Sequence, residues 1–263
     1  MRETDRSPLT GRWLISLRPA GQHGPVRRAA AAHGARVLAL SPWRLQRHDD
    51  AATRAALADA LRCGRIVFSS PEAVRAASAL QPLRASARQT WLAVGSGTGA
   101  ALRRAGIAGV LSPLRMDSAG LLDLEELCEV SGARIGLVTA PGGRDRIAAG
   151  LRQRGATVLR ADVYKREPCP LGRAGIDRLL AVPTPGLVLL SSAGALRQVL
   201  ADLPEHAAAV LRRCDAIAAS PRLAAIAGEE AGMRTIAVAS DPRPRAMLAA
   251  AAAALTADKP MPA

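Results

Sequence analysis

The chain repeats itself, and no other feature limits its folding so strongly. Trp13–Arg47 reads WLISLRPAGQHGPVRRAAAAHGARVLALSPWRLQR, and Arg134–Glu167 reads RIGLVTAPGGRDRIAAGLRQRGATVLRADVYKRE. An offset of 121 residues, Trp13 onto Arg134, superimposes them. Each copy gives an apolar strand, a glycine-containing turn, a helix, a Gly-Ala step, a second strand and an aromatic-basic pair. Gly34-Ala35 falls on Gly155-Ala156, and Trp43-Arg44 on Tyr164-Lys165. A second pair follows. IVFSSPEAV (66–74) resembles VLLSSAGAL (188–196), and LAVGSGTGAAL (92–102) resembles AIAASPRLAAI (216–226). The chain therefore reads a, b, a′, b′, and matched order over four blocks argues against chance in an alanine-rich sequence.

Short apolar runs alternate with helical patterns almost throughout. Strands are expected at Trp13–Leu17, Val37–Leu40, Ile66–Phe68, Trp91–Val94, Val110–Leu111, Ile135–Val138, Thr157–Val163, Leu187–Leu190, Ala216–Ala219 and Thr235–Val238. Helices are expected between most of them, for example at Pro25–Ala32, Ala51–Leu61, Ala73–Leu80, Gly99–Arg104, Asp145–Arg154, Gly175–Leu180 and Leu196–Leu200. Strand, crossover helix, strand is the signature of a parallel sheet covered on both faces. Ten strands in 263 residues suit two five-stranded domains better than one sheet. The strands ending a and a′ run on through Pro42 and past Tyr164, which suits connections between domains. The Ala-rich run Ala246–Leu255 is too short to span a bilayer and reads as a terminal helix.

Composition narrows the partners. The net charge is +14 and almost every base is arginine, with lysine only at Lys165 and Lys259. Such a field favours an anionic partner, and the planar guanidinium fork suits carboxylate and phosphate. Five aromatic residues are too few for a base-stacking surface, and the arginines are spread over every helix, so nucleic acid is not expected as a partner. Cys63, Cys128, Cys169 and Cys214 form no C-x-x-C pair, which argues against zinc and disulfides and fits a reducing cytoplasm. The polar start, Met1–Arg12, is no secretory signal. His23, His33, His48 and His206 lie in polar or helical surroundings, so a solvated position is expected for each.

Small polar residues gather at the carboxyl ends of the expected strands, where open α/β sheets bind ligands. These are Arg18-Pro19, Ser69-Ser70-Pro71, Gly95-Ser96-Gly97-Thr98, Pro141-Gly142-Gly143-Arg144, Ser191-Ser192 and Ser220-Pro221-Arg222. Each precedes a helix, whose free N–H groups attract anions. Any one serine is adequately explained as a helix cap; six such turns suggest anion-binding rims. No third glycine completes G-x-G-x-x-G after Gly95, and no P-loop is present. Tyr164 is the only tyrosine. The residues alone leave its role open between a half-buried sheet residue and a hydrogen-bond donor.

With these residues in view, the chain resembles the uroporphyrinogen-III synthase family from about Gly11 to Ala257. The resemblance rests on Arg18-Pro19, VFSSPEAV (67–74), AVGSGTGAAL (93–102), the S-x-G-L-L step at Ser118–Leu122, Gly142-Gly143-Arg144, VYKRE (163–167), LLSSAGAL (189–196) and ASPRLAAIA (219–227), in that order. It implies two similar doubly wound α/β domains joined by a two-stranded ladder, with the active site in the interdomain cleft. The first domain would combine a with b′ (10–39 plus 169–258), the second b with a′ (47–160). Residues 40–46 and 161–168 would be the linker strands, and 1–9 and 259–263 disordered tails. The implied reaction cyclises and dehydrates hydroxymethylbilane, a linear tetrapyrrole octacarboxylate, inverting ring D through a spirocyclic intermediate. The resemblance implies a cofactor-free, metal-free, cytoplasmic monomer, without membrane association, in transient contact with hydroxymethylbilane synthase. Tyr164 would assist loss of the ring A hydroxyl, and Thr98 would act beside it. Arg18, Ser69, Ser70, Gly95, Ser118, Gly142, Gly143, Arg144, Ser191, Ser192, Ser220 and Arg222 would hold carboxylates. Leu17 stands where the family often has Ser or Thr, and Ser220-Pro221-Arg222 replaces a threonine-containing turn. The alternative is a non-catalytic tetrapyrrole-binding or regulatory relative of the same fold.

Overall fold

Alternating strands and helices run through residues 7–142, 145–183 and 185–257, which the computed structural model describes. The first half comprises β1 (Trp13–Ser16), α1 (Gly24–Ala31), β2 (Arg36–Ala39), β3 (Trp43–Arg47), α2 (Ala51–Leu61), β4 (Arg65–Phe68), α3 (Pro71–Leu80), β5 (Thr90–Ala93), α4 (Ser96–Arg104) and α5 (Ser118–Leu122). Then follow β6 (Arg134–Thr139), α6 (Asp145–Gln153), β7 (Thr157–Asp162), β8 (Tyr164–Pro168), α7 (Arg173–Leu180), β9 (Leu187–Leu190), α8 (Ala193–Asp202), α9 (Glu205–Arg212), β10 (Asp215–Ala218), α10 (Pro221–Ala231), β11 (Thr235–Val238) and α11 (Pro244–Ala257).

The chain divides into two units, Met1–Arg44 with Glu167–Ala263, and Leu45–Arg166. The first holds a parallel sheet of order β11-β10-β9-β1-β2, the second a parallel sheet of order β5-β4-β6-β7. Block a therefore pairs with b′, and b with a′. Strands β3 and β8 form a separate two-stranded sheet, and both unit boundaries fall inside it.

The inner strands of each main sheet are covered on both faces, so β9, β10, β4 and β6 are largely buried along their length. Side-chain alternation divides them between two cores. In the first unit Ile15, Leu38, Val188 and Leu190 enter one core, while Leu14, Leu187, Leu189 and Ile217 enter the other. In the second, Ile66, Phe68, Trp91 and Ala93 face one side, and Val67, Leu92, Ile135 and Leu137 the other. Phe68 and Trp91 stack with centroids 5.6 Å apart. A glycine in β6 lets α2 lie close to the sheet: a Cβ on Gly136 would collide with the Ala60 carbonyl oxygen of α2.

Blocks a and a′ share their pairing register and their closing hydrogen bond. Strand β1 pairs with β2 in the register Trp13↔Arg36, and β6 with β7 in the register Arg134↔Thr157, the same offset on both strands. Gly11 donates to the Gly34 carbonyl at 2.9 Å, and Gly132 to the Gly155 carbonyl at 3.0 Å. Gly34 and Gly155 both take positive φ, +65° and +81°, as the turn between helix and strand demands. In b and b′, Ser70 caps α3 through the Ala73 N–H, and Ser192 caps α8 through the Ala195 N–H.

Several expectations need correcting. Strand β10 aligns with β5 one residue later than the sequence match suggested: Arg65 pairs with Thr90, but Leu187 with Asp215. Ser220 therefore corresponds to Gly95, each being the N-cap of its helix. The second sheet has four strands, not five, because Val110–Leu111 contributes a single bridge, Leu92↔Leu111. Gly109 at φ +64° precedes it and Pro113, which has no N–H to donate, follows, so the strand cannot extend. Residues 161 and 162 belong to β7 rather than to a linker, because the β6 pairing continues to Thr139↔Asp162. Residues 7–9 are not a loose tail: Leu9 is fully buried in a core, and Ser7 Oγ lies 3.0 Å from His33 Nδ1.

Candidate active site

In a parallel sheet all carboxyl ends lie on one edge, so topology alone gathers the turns of each unit. In the second unit β4 delivers Ser69 and Ser70 to this edge, and β6 delivers Thr139. Tyr164 arrives two residues after β7. Ser69 is buried and donates to Thr139 Oγ1 at 2.7 Å. Ser70 Oγ accepts the Ala73 N–H at 3.1 Å and lies 3.0 Å from the Tyr164 hydroxyl. The Tyr164 ring is only 4% exposed and packs in the core with Phe68 and Val163. Its phenol is thus placed by a buried ring at one end and a capping serine at the other.

Two ion pairs brace the neighbouring helix start. Glu72, in the first turn of α3, is buried and accepts from Arg75 Nε at 2.8 Å and from Arg47 Nε at 3.3 Å. Its charge also complements the positive end of the helix dipole. Helix α4 differs from α3 because its N-cap, Gly95, supplies no side-chain acceptor. Thr98 is buried in the first turn of α4, and its N–H reaches the Gly95 carbonyl at 3.0 Å. Met116 lies against Gly95, where a Cβ would stand 3.1 Å from the Met116 Cβ, and Ser96 Oγ approaches its sulfur at 3.3 Å. Ser118 opens α5, but Asp117 caps it, and the Gly120 N–H draws the Asp117 carboxyl pKa below its usual range. Gly142 turns the chain after β6 at φ +63°. Gly143 and Arg144 lie outside the described residues.

The carboxyl edge of the first unit carries Arg18, Ser191, Ser192, Ser220 and Arg222. Ser192 and Ser220 are helix caps, bonded to the Ala195 and Leu223 N–H groups at 3.3 and 3.4 Å. Arg222 is exposed in the first turn of α10. Arg18 is half-buried, and its guanidinium donates to the Pro242 carbonyl at 3.1 Å. Burial lowers its pKa.

His23 is a residue that sequence reasoning placed wrongly. It is 5% exposed, with Nδ1 2.9 Å from Ser16 Oγ and Nε2 2.9 Å from Ser41 Oγ. Burial, and then the charges of Arg27 and Arg18, pull its pKa down to about 4, so the ring is neutral at pH 7. The sequence held one hint, Pro25, which marks the helix start and puts His23 at its N-cap. Ser41, 18 residues further on, gave none. Glu72 and its two arginines were missed for the same reason.

The two units thus define a class of protein: two parallel α/β units, each with serine, glycine or arginine at the carboxyl ends of its strands. The uroporphyrinogen-III synthase family model matches residues 25–249, and the chain belongs to that family. A uroporphyrinogen III synthase variant from the extreme thermophile Thermus thermophilus is 19% identical, with a TM-score of 0.64, over 94% of this chain and all of that one. The Helicobacter pylori uroporphyrinogen-III synthetase is 15% identical, with a TM-score of 0.57, over 92% of this chain and 99% of that one. At these identities the two structures speak for the fold alone. No curated protein matches in sequence. No described helix is long and apolar enough to cross a membrane.

Proposed function

We propose that the chain cyclises hydroxymethylbilane to uroporphyrinogen III, releasing water and inverting ring D through a spirocyclic intermediate. The observation that carries this reading, within a chain of the family, is the hydrogen bond between Ser70 and Tyr164 at the carboxyl edge of the second sheet. Departure of the ring A hydroxyl as water needs a proton, and a phenol held at a fixed point can hydrogen-bond to that oxygen and supply it. Ser70 Oγ accepts the Ala73 N–H and can give its own proton to the phenol oxygen, which leaves the phenol proton free for the departing hydroxyl.

The linear substrate also closes unaided, without inversion. The enzyme's task is therefore to hold the chain so that the spiro transition state is favoured over direct closure. Carboxylates supply the handles. The start of α4, with no side-chain cap, and the guanidiniums of Arg18 and Arg222 are the groups assigned to them. Ser69 has already given its proton to Thr139, so its part is to fix the turn. The test is a coupled assay: porphobilinogen and hydroxymethylbilane synthase are supplied, the products are oxidised, and the isomers are separated. Predominantly isomer III is expected. Isomer I alone, from folded protein, refutes the reaction and leaves a tetrapyrrole-binding module.

A further inference from the structure

Helix capping does not account for the burial of His23. Its side chain makes no cap hydrogen bond to α1. The ring instead spans the carboxyl ends of two neighbouring strands, because Ser16 ends β1 and Ser41 follows β2. A neutral imidazole offers one donor and one acceptor, and both are used. Between Ser16 and the ring the chain makes a turn, Leu17–Gln22, closed by the Gln22 N–H on the Pro19 carbonyl at 3.0 Å. The Ala20 N–H ties the same turn to the Trp43 carbonyl at 2.9 Å.

That turn carries Arg18. Its guanidinium reaches the neutral Pro242 carbonyl and has no carboxylate partner among the described residues. A partly desolvated cation without a counter-charge is poorly compensated. Such a group gains most when an anion arrives. The charged groups that face the ring are Arg27 on α1 and Arg18 itself. A neutral histidine keeps the turn pinned without setting a third cation beside them.

We propose that His23 is a positioning residue: clamped between Ser16 and Ser41, it fixes the Leu17–Gln22 turn so that Arg18 is presented as a carboxylate-binding guanidinium. The inference rests on the reading of the ligand as a polycarboxylate. His23 itself touches no substrate and moves no proton.

Uroporphyrin I, a closed octacarboxylate, reports binding without turnover. His23→Leu removes both hydrogen bonds, whereas His23→Gln can still bridge two hydroxyls. Uroporphyrin binding should weaken about tenfold in His23→Leu, about as much in Arg18→Ala, and recover in His23→Gln. The double variant should bind no worse than Arg18→Ala, because the first substitution acts only through the second residue. In turnover the same factor should appear in KM, with kcat within about twofold. Additive losses, or undiminished binding by folded His23→Leu, overturn the proposal. If His23→Leu does not fold, Ser41→Ala, which breaks one bond at a half-buried residue, takes its place in the same cycle. Wild-type protein that binds uroporphyrin and shows the cycle but makes no isomer III would refute the reaction and leave the role of His23 standing. Wild-type protein that does not bind uroporphyrin would overturn it.

Discussion

Removing one oxygen atom from Tyr164 disturbs the fold least and the chemistry most. The ring stays packed in its core, and the loss is confined to the phenol and its bond to Ser70. Tyr164→Phe should slow isomer III formation about a hundredfold, with an unchanged melting temperature. Ser70→Ala should show a different pattern, because it removes the cap of α3 as well as the partner of Tyr164: about 1 kcal/mol of stability and a smaller rate loss. An unslowed Tyr164→Phe would remove the phenol from the mechanism. His23 makes a prediction about acid. Its ring titrates near 4 in the folded protein and near 6.5 when unfolded. Between these values the unfolded chain holds more protons, so stability present above about pH 6.5 is lost as pH falls towards 4. Urea midpoints at pH 7 and pH 4.5 should converge in His23→Gln relative to wild type. An equal acid loss in both would mean that other groups carry it.

Among the elements, what was legible follows from what is local. Strands β4, β9 and β11 and helices α2 and α11 are written in runs of apolar or alanine-rich residues, and the repeat fixed which blocks are equivalent. The one-residue slip at β10 was not legible, since Ala216–Ala219 is nearly uniform and its register is set by pairing with β9. Helix α9 was missed because nothing in the other copy corresponds to it. The serine turns of the site could be read, because caps are short-range. The clamp on His23 and the pairing of Arg47 with Glu72 join residues 18 and 25 positions apart, beyond any local pattern. The repeat also yields a matched pair of tests. Gly34 and Gly155 occupy the same left-handed turn, where an L-residue costs about 1–2 kcal/mol. A Cβ on Gly34 would meet nothing closer than Thr10 Cγ2 at 3.4 Å, but one on Gly155 would stand 2.9 Å from Ser131 Oγ and 3.3 Å from its Cα. Gly155→Ala should therefore cost about 1 kcal/mol more than Gly34→Ala in denaturant titration, and equal costs would show that Ser131 yields freely.

Across the whole molecule, the path of the chain treats the two units unequally. The second unit is one continuous stretch, Leu45–Arg166, and all four strands of its sheet and both of its cores lie inside that stretch. The first is assembled from two pieces, and its order β11-β10-β9-β1-β2 sets β1 beside β9 from the other piece. Residues 45–166, expressed alone, should therefore fold: the fragment loses none of its sheet partners and lies within the size range of independent domains. Trp91, the one tryptophan in it, stacks on Phe68 in the core and should report a single cooperative urea transition by fluorescence. The fragment 167–263 should fare worse. Without β1, strand β9 would present an open apolar edge, and the core shared with Leu187 and Ile217 would lose Leu9, Leu14 and Val26. Adding residues 1–44 in trans should restore it, with Trp13 and Trp43 as reporters. A disordered 45–166 fragment would show that a sheet and two cores within one stretch are not enough, and that the second unit depends on the first for its stability.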